Sequence, residues 1–165
     1  MHHDAARRAF LTGAAKPEEG CLLPGAVAGF YDLCTQCGAC AGACPEEIIY
    51  RSPDGFPVIN PWAGTCTFCS LCAVACEPKA ILPAKGWDMR AVVTGDCLSM
   101  GGTTCRACED QCDEGAIRFR LMTGGRAAPV IDIDGCTGCS SCVSSCPAAA
   151  ISLRKLSSKP EELPC

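Results

Sequence analysis

The sequence predicts an α+β protein made of two tandem modules, each with short helices and small antiparallel hairpins. Three observations lead there. Cysteine runs recur four times along 165 residues. The second pair of runs repeats the first at a nearly constant offset, the mark of an internal duplication. Large apolar side chains are also scarce: five Phe, two Trp and two Tyr are all the aromatics, and much of the remaining apolar content is Ala and Cys. Units with so small a core are stabilised by disulfides or bound metal.

The runs are Cys34-x2-Cys37-x2-Cys40-x3-Cys44-Pro45, Cys66-x2-Cys69-x2-Cys72-x3-Cys76, Cys97-x7-Cys105-x2-Cys108-x3-Cys112 and Cys136-x2-Cys139-x2-Cys142-x3-Cys146-Pro147. Together they absorb sixteen of the eighteen cysteines. Cys105, Cys108 and Cys112 lie 68 residues after Cys37, Cys40 and Cys44, and Cys136 to Cys146 lie 70 residues after Cys66 to Cys76. This is the bacterial-type ligand run for [4Fe–4S] clusters, in which three near thiolates hold one cluster and the fourth reaches its neighbour. The expected ligand sets are Cys34, Cys37, Cys40 and Cys76 for site 1, and Cys66, Cys69, Cys72 and Cys44 for site 2. Site 3 takes Cys97, Cys105, Cys108 and Cys146, and site 4 takes Cys136, Cys139, Cys142 and Cys112. The architecture is then two bacterial-type 2[4Fe–4S] ferredoxin-like modules over residues 34–86 and 87–156, with an N-terminal extension, 1–33, and a C-terminal tail, 157–165.

Zinc also takes all-cysteine sites, but usually with two cysteines from each of two segments. It has no use for a third cysteine at x2 and a fourth at x3, repeated along the chain. The pattern is irregular at the x7 gap after Cys97 and at Glu77 and Asp113, which stand where proline follows Cys44 and Cys146. Gly38 and Gly138 suit a loop whose backbone closes on the sulfurs. Cys21 and Cys165 fall outside the pattern and read as spare thiols.

The cysteines point to a reducing compartment, hence the cytoplasm. The formal charge of −4 counts them as neutral, and cluster loading adds negative charge, so a nucleic-acid partner is not expected. No apolar run is long enough to span a bilayer. His2 and His3 are the only histidines, which leaves no internal imidazole base, and no phosphate-binding or dinucleotide-binding glycine motif is present. The expected chemistry is electron transfer, storage or cluster delivery rather than enzymatic turnover.

Along the chain, Ala6-Arg7-Arg8-Ala9-Phe10-Leu11 resembles the core of a twin-arginine export signal. An apolar continuation and cleavage site do not follow, so the segment reads as a basic docking stretch. One helical turn is expected between Cys40 and Cys44, stopped by Pro45. Ile48 to Tyr50 and Phe56 to Ile59 flank a Ser52-Pro53-Asp54-Gly55 turn, and Ala80 to Leu82 form a brief strand. In the second half, Ala116 to Arg120 and Pro129 to Asp132 flank Thr123-Gly124-Gly125.

The sequence also resembles a known family, the NapF-type ferredoxins of the periplasmic nitrate reductase system. The likeness rests on Asp4 to Arg8 with Leu11-Thr12-Gly13, on Gly55-Phe56-Pro57, on Cys66 to Cys76, and on Gly95-Asp96-Cys97 with its x7 gap and the following Ala116-Ile117-x-Phe119. It implies a cytoplasmic protein with four [4Fe–4S] clusters, Cys97 among the ligands. Its implied partner is the precursor of the molybdenum-containing catalytic subunit of periplasmic nitrate reductase, whose maturation it assists before export. An electron-carrying polyferredoxin between a quinol or flavin donor and a reductase is the alternative.

Overall fold

The computed structural model describes residues 21–156. The Arg7-Arg8 segment, His2, His3 and Cys165 lie outside the described residues. Helices in the described chain are single turns: α1 (Phe30–Leu33), α2 (Ala39–Gly42), α3 (Leu71–Val74), α4 (Ala107–Asp110) and α5 (Ser141–Ser144). A lone turn does not hold itself, because nucleation fixes several residues for one hydrogen bond. Tertiary anchoring must therefore hold each of these, and α2 to α5 each carry the third cysteine of a run.

Both expected hairpins form. Strand β1 (Ile49–Arg51) pairs antiparallel with β2 (Pro57–Ile59), Tyr50 opposite Val58. Gly55 closes the turn at φ 87°, and its N–H donates to the Ser52 carbonyl at 2.9 Å. Strand β4 (Ile117–Leu121) pairs with β5 (Ala127–Ile131), Phe119 opposite Pro129, around a 3-10 turn at Thr123–Gly125.

A third pairing, between β3 (Met89–Val93) and β6 (Ile151–Lys155), joins the two ends of the second half. Sequence reading missed it, since neither short segment has a turn signal and each is stable only against the other. Ala91 faces Leu153 across the pair, and both are fully buried. The first half closes similarly, with residues 21–33 taking the part of β3. Ala26 bridges Ile81, Val27 N–H donates to Ala80 O at 3.1 Å, and Leu82 N–H donates to Gly25 O at 2.9 Å. Leu23 and Phe30 of this segment are buried in the core with Ile48, Ile59 and Ile81.

Cys21 corrects the reading of a spare thiol: it is buried and disulfide-bonded. Its carbonyl accepts the Ile59 N–H at 2.8 Å, a position set by long-range pairing that cysteine spacing does not encode. Among the described residues, no helix is long and apolar enough to cross a membrane.

Candidate metal centres

Four cavities in the described chain are each lined by four cysteines. One has Cys34, Cys37, Cys40 and Cys76 in its wall; another has Cys44, Cys66, Cys69 and Cys72. In the second half one wall holds Cys97, Cys105, Cys108 and Cys146, and the other Cys112, Cys136, Cys139 and Cys142. Each set combines three cysteines from one run with the last cysteine of the facing run. The one-turn helices produce this exchange: α2 packs on α3 and α4 on α5, so the residue leaving each helix is delivered to its neighbour's loop.

The runs share a backbone. The residue before the second cysteine is left-handed at Gln36, Phe68 and Gly138 (φ 56°, 52° and 79°), and so is the residue after it at Gly38, Ser70 and Ser140 (φ 80°, 63° and 72°). Such alternation turns successive N–H groups to one side, forming an anion-binding nest. Three residues after the last cysteine of each run, Glu47, Lys79, Gly115 and Ala149 are left-handed again. Their N–H groups donate to the carbonyls of Cys44, Cys76, Cys112 and Cys146 at 3.2, 3.2, 2.8 and 3.2 Å. The turn is the same whether Pro, Glu77 or Asp113 follows the cysteine.

The x7 gap is accommodated by a folded loop. Gly101 N–H donates to Cys97 O at 3.0 Å and Thr103 N–H to Leu98 O at 2.9 Å, which brings Cys97 back beside Cys105.

At Gly138 a Cβ would come 2.5 Å from the Met89 carbonyl oxygen, whereas at Gly38 it would meet the flexible tip of Arg51. Both positions carry the left-handed penalty of about 1–2 kcal/mol for an L residue. Only Gly138 adds a backbone clash, against the strand that closes the module. Gly138→Ala is therefore expected to lower the melting temperature of the loaded protein by clearly more than Gly38→Ala. Equal shifts in thermal unfolding would remove this account of Gly138.

Electrostatics follow exposure. The Ala39 amide, and after it the Thr35 hydroxyl, hold the exposed Cys37 thiol below its usual value. Burial pushes Cys66 up to about 11, with Cys72, Cys44 and Cys69 adding to the rise. Burial likewise lifts Cys108 to about 11, helped by Cys146 and Cys97, and Cys142 to about 12, helped by Cys136, Cys139, Cys108 and Cys112. These buried thiols are protonated at neutral pH without metal, so ligation releases protons. The Ala150 N–H points directly at Cys146 Sγ, 3.3 Å away.

The cavities fit a multi-atom cluster. Among the described residues no three His, Cys, Asp or Glu side chains converge closely enough for a single metal ion. The empty space at the four sites is about 340 to 480 Å³, including the part open to solvent. Thr137 lines one cavity, and its hydroxyl is buried without a hydrogen-bond partner, a donor that a group bound in the cavity would satisfy. Thr35 and Thr67 hold the same place in two other runs and line the cavities there. Sequence reading missed these threonines. The signal was present, since Cys-Thr-x-Cys opens three of the four runs.

Two family models, each described as a 4Fe-4S dicluster domain, match residues 33–81 and 103–159. Ferredoxin-type protein NapF of Escherichia coli (strain K12) is 35% identical over 161 residues, covering 94% of this chain and 98% of the relative. The chain belongs to the NapF-type ferredoxins. Ferredoxin-type protein NapF of Haemophilus influenzae is 40% identical over 129 residues, 77% of this chain and 73% of that protein. A more distant likeness reaches a component of the ion-translocating oxidoreductase complex of Methanosarcina acetivorans, 38% identical over 133 residues but covering only 47% of it. As a NapF-type ferredoxin with two dicluster domains, the protein is an iron–sulfur electron-transfer protein.

Proposed function

We propose that this NapF-type ferredoxin holds four [4Fe–4S] clusters and supplies electrons or iron–sulfur to the precursor of the molybdenum-containing catalytic subunit of periplasmic nitrate reductase, in the cytoplasm before export. The observation that carries the cluster assignment is the lining of the four cavities, one quartet of cysteines each, with the fourth taken from the facing run. Sites 1 and 2 belong to a first module, 34–86, which residues 21–33 of the 1–33 extension close, and sites 3 and 4 to a second, 87–156, followed by a tail, 157–165. Bound clusters supply one-electron redox chemistry at potentials set by burial, net charge and hydrogen bonds to sulfur. The chain's part is to hold and tune them. Sixteen thiolates ligate, the left-handed loop amides and the threonine hydroxyls hydrogen-bond the sulfurs, and buried side chains such as Ile48, Ile59, Ile117 and Leu153 exclude water. With every thiolate set complete, no position is open to a substrate, so the protein has no active site of its own.

The nitrate reductase precursor enters from the family resemblance. A second reading, electron carriage between a quinol or flavin donor and a reductase, is favoured by the likeness to a component of an ion-translocating oxidoreductase complex. Two measurements test the proposal. Anaerobically isolated protein is expected to contain about 16 iron atoms and as much sulfide; mainly zinc, or half that iron, would overturn the cluster assignment. Affinity capture from nitrate-grown cells is expected to retain the catalytic-subunit precursor, while capture of a membrane redox complex in its place would shift the conclusion to electron carriage.

A further inference from the structure

We infer that electrons pass between the two modules at one place, from site 2 to site 4, across a hydrogen bond between the Cys66 amide and the Cys139 carbonyl that Ser140 holds in register. The inference rests on the four-cluster reading. It orders the sites 1–2–4–3, with sites 1 and 3 at the two ends.

Among the described residues, the hydrogen bonds joining residues 34–86 to residues 87–156 meet at this one seam. Cys66 N–H donates to Cys139 O at 2.8 Å, and the Ser140 hydroxyl donates to Gly64 O at 2.7 Å. Both residues of the first bond are ligands in the proposed sets, Cys66 of site 2 and Cys139 of site 4. A continuous path therefore runs from one sulfur through its Cβ, Cα and amide, over the hydrogen bond, and through the other carbonyl, Cα and Cβ to the second sulfur.

Ser140 is fully buried and left-handed at φ 72°, a conformation that costs free energy in a residue with a Cβ. Its equivalent in the first module makes the contrast. Ser70, also left-handed, points its hydroxyl to the carbonyl of Phe68 in its own run at 3.5 Å. The Ser140 hydroxyl also meets the carbonyl of Cys139 in its own run, so what the second copy adds is the cross-module acceptor at Gly64.

Inside each module the helix pairs α2–α3 and α4–α5 supply the close approach between sites, and the Ser141 hydroxyl ties run four to Gln111 O at 2.9 Å. Sites 1 and 3 make no hydrogen bond across the seam. In the transfer one electron leaves site 2 and one arrives at site 4, and no bond is formed or broken and no proton moves.

The experiment uses the full loaded protein. Iron content is measured first, since fewer than four clusters in the unaltered protein would overturn the underlying reading together with this one. With four present, the seam alone is tested. Removing one thiol gives its site a distinct magnetic signal, so Cys37→Ala, Cys69→Ala, Cys136→Ala and Cys105→Ala mark sites 1, 2, 4 and 3. The expected result is that reduction of the rest of the protein broadens the site 2 and site 4 marks through neighbours in both modules, and the site 1 and site 3 marks through their own module only. Cross-module broadening at site 1 or site 3 exceeding that at site 2 or site 4 would overturn the order.

A second measurement does not depend on those variants. After one electron is delivered from flash-photoreduced flavin, Ser140→Gly should slow redistribution between modules with iron content unchanged, and Ser70→Gly should leave the rate as it is. Glycine relieves the backbone at both positions, so only loss of the seam hydroxyl distinguishes them. Equal rates in the two variants would overturn the role given to Ser140.

Discussion

Replacing Cys44 by Ala is expected to damage the site formed by Cys66, Cys69 and Cys72, and to leave the cluster of its own run intact. Cys44 leaves α2 on the side facing α3 and lies in the wall of the second cavity with Leu23, Ile48 and Ile59; Cys34, Cys37 and Cys40 line the other, together with Cys76. The same logic sends the effect of Cys146→Ala to the site of Cys97, Cys105 and Cys108. Each variant should lose about a quarter of the iron, or keep a damaged cluster at the facing site. Magnetic spectroscopy that resolves the four sites decides between the possibilities. A spectrum in which Cys44→Ala abolishes the Cys34, Cys37, Cys40 site would end the exchange model, and with it the pairing of runs into modules.

Removal of iron from the unaltered protein should unfold it. The side chains that form the core are also the cavity walls: Phe30 and Ile81 at the first site, Leu23, Ile48 and Ile59 at the second, Ile151 and Phe119 at the third, and Ala91, Ile117 and Leu153 at the fourth. Without a cluster these walls have no atoms to pack against on one side and lose that dispersion energy outright. Removal of the cluster also removes the ligation free energy, and burial leaves Cys66, Cys108 and Cys142 as neutral thiols. The net stability of a domain is only about 5–15 kcal/mol, and metal ligation in small domains is folding free energy of comparable size. Chelation under anaerobic, reducing conditions is therefore expected to abolish the near-ultraviolet circular dichroism and the cooperative thermal transition. A chelated, iron-free protein that still melts cooperatively near the temperature of the loaded form would refute this.

Cysteine spacing alone was enough to read four ligand runs and their duplication, and local turn residues were enough for the hairpins around Ser52–Gly55 and Thr123–Gly125 and for a helical turn after Cys40. Ligation by x2 and x3 spacing is local, and Gly55, Gly124 and Gly125 mark the hairpin turns at positive φ. The pairing of β3 with β6, the use of residues 21–33 to close the first module, the disulfide state of Cys21 and the seam from Cys66 to Cys139 were decided by tertiary structure. These contacts join segments tens of residues apart, with no periodicity or turn chemistry to announce them. Ser70 and Ser140 show the difference most directly. They occupy the same slot of a repeated motif and the same left-handed conformation, yet only Ser140 bonds across the modules, because that bond requires Gly64 on the opposite side, and a one-dimensional repeat carries no information about which face of one copy meets the other.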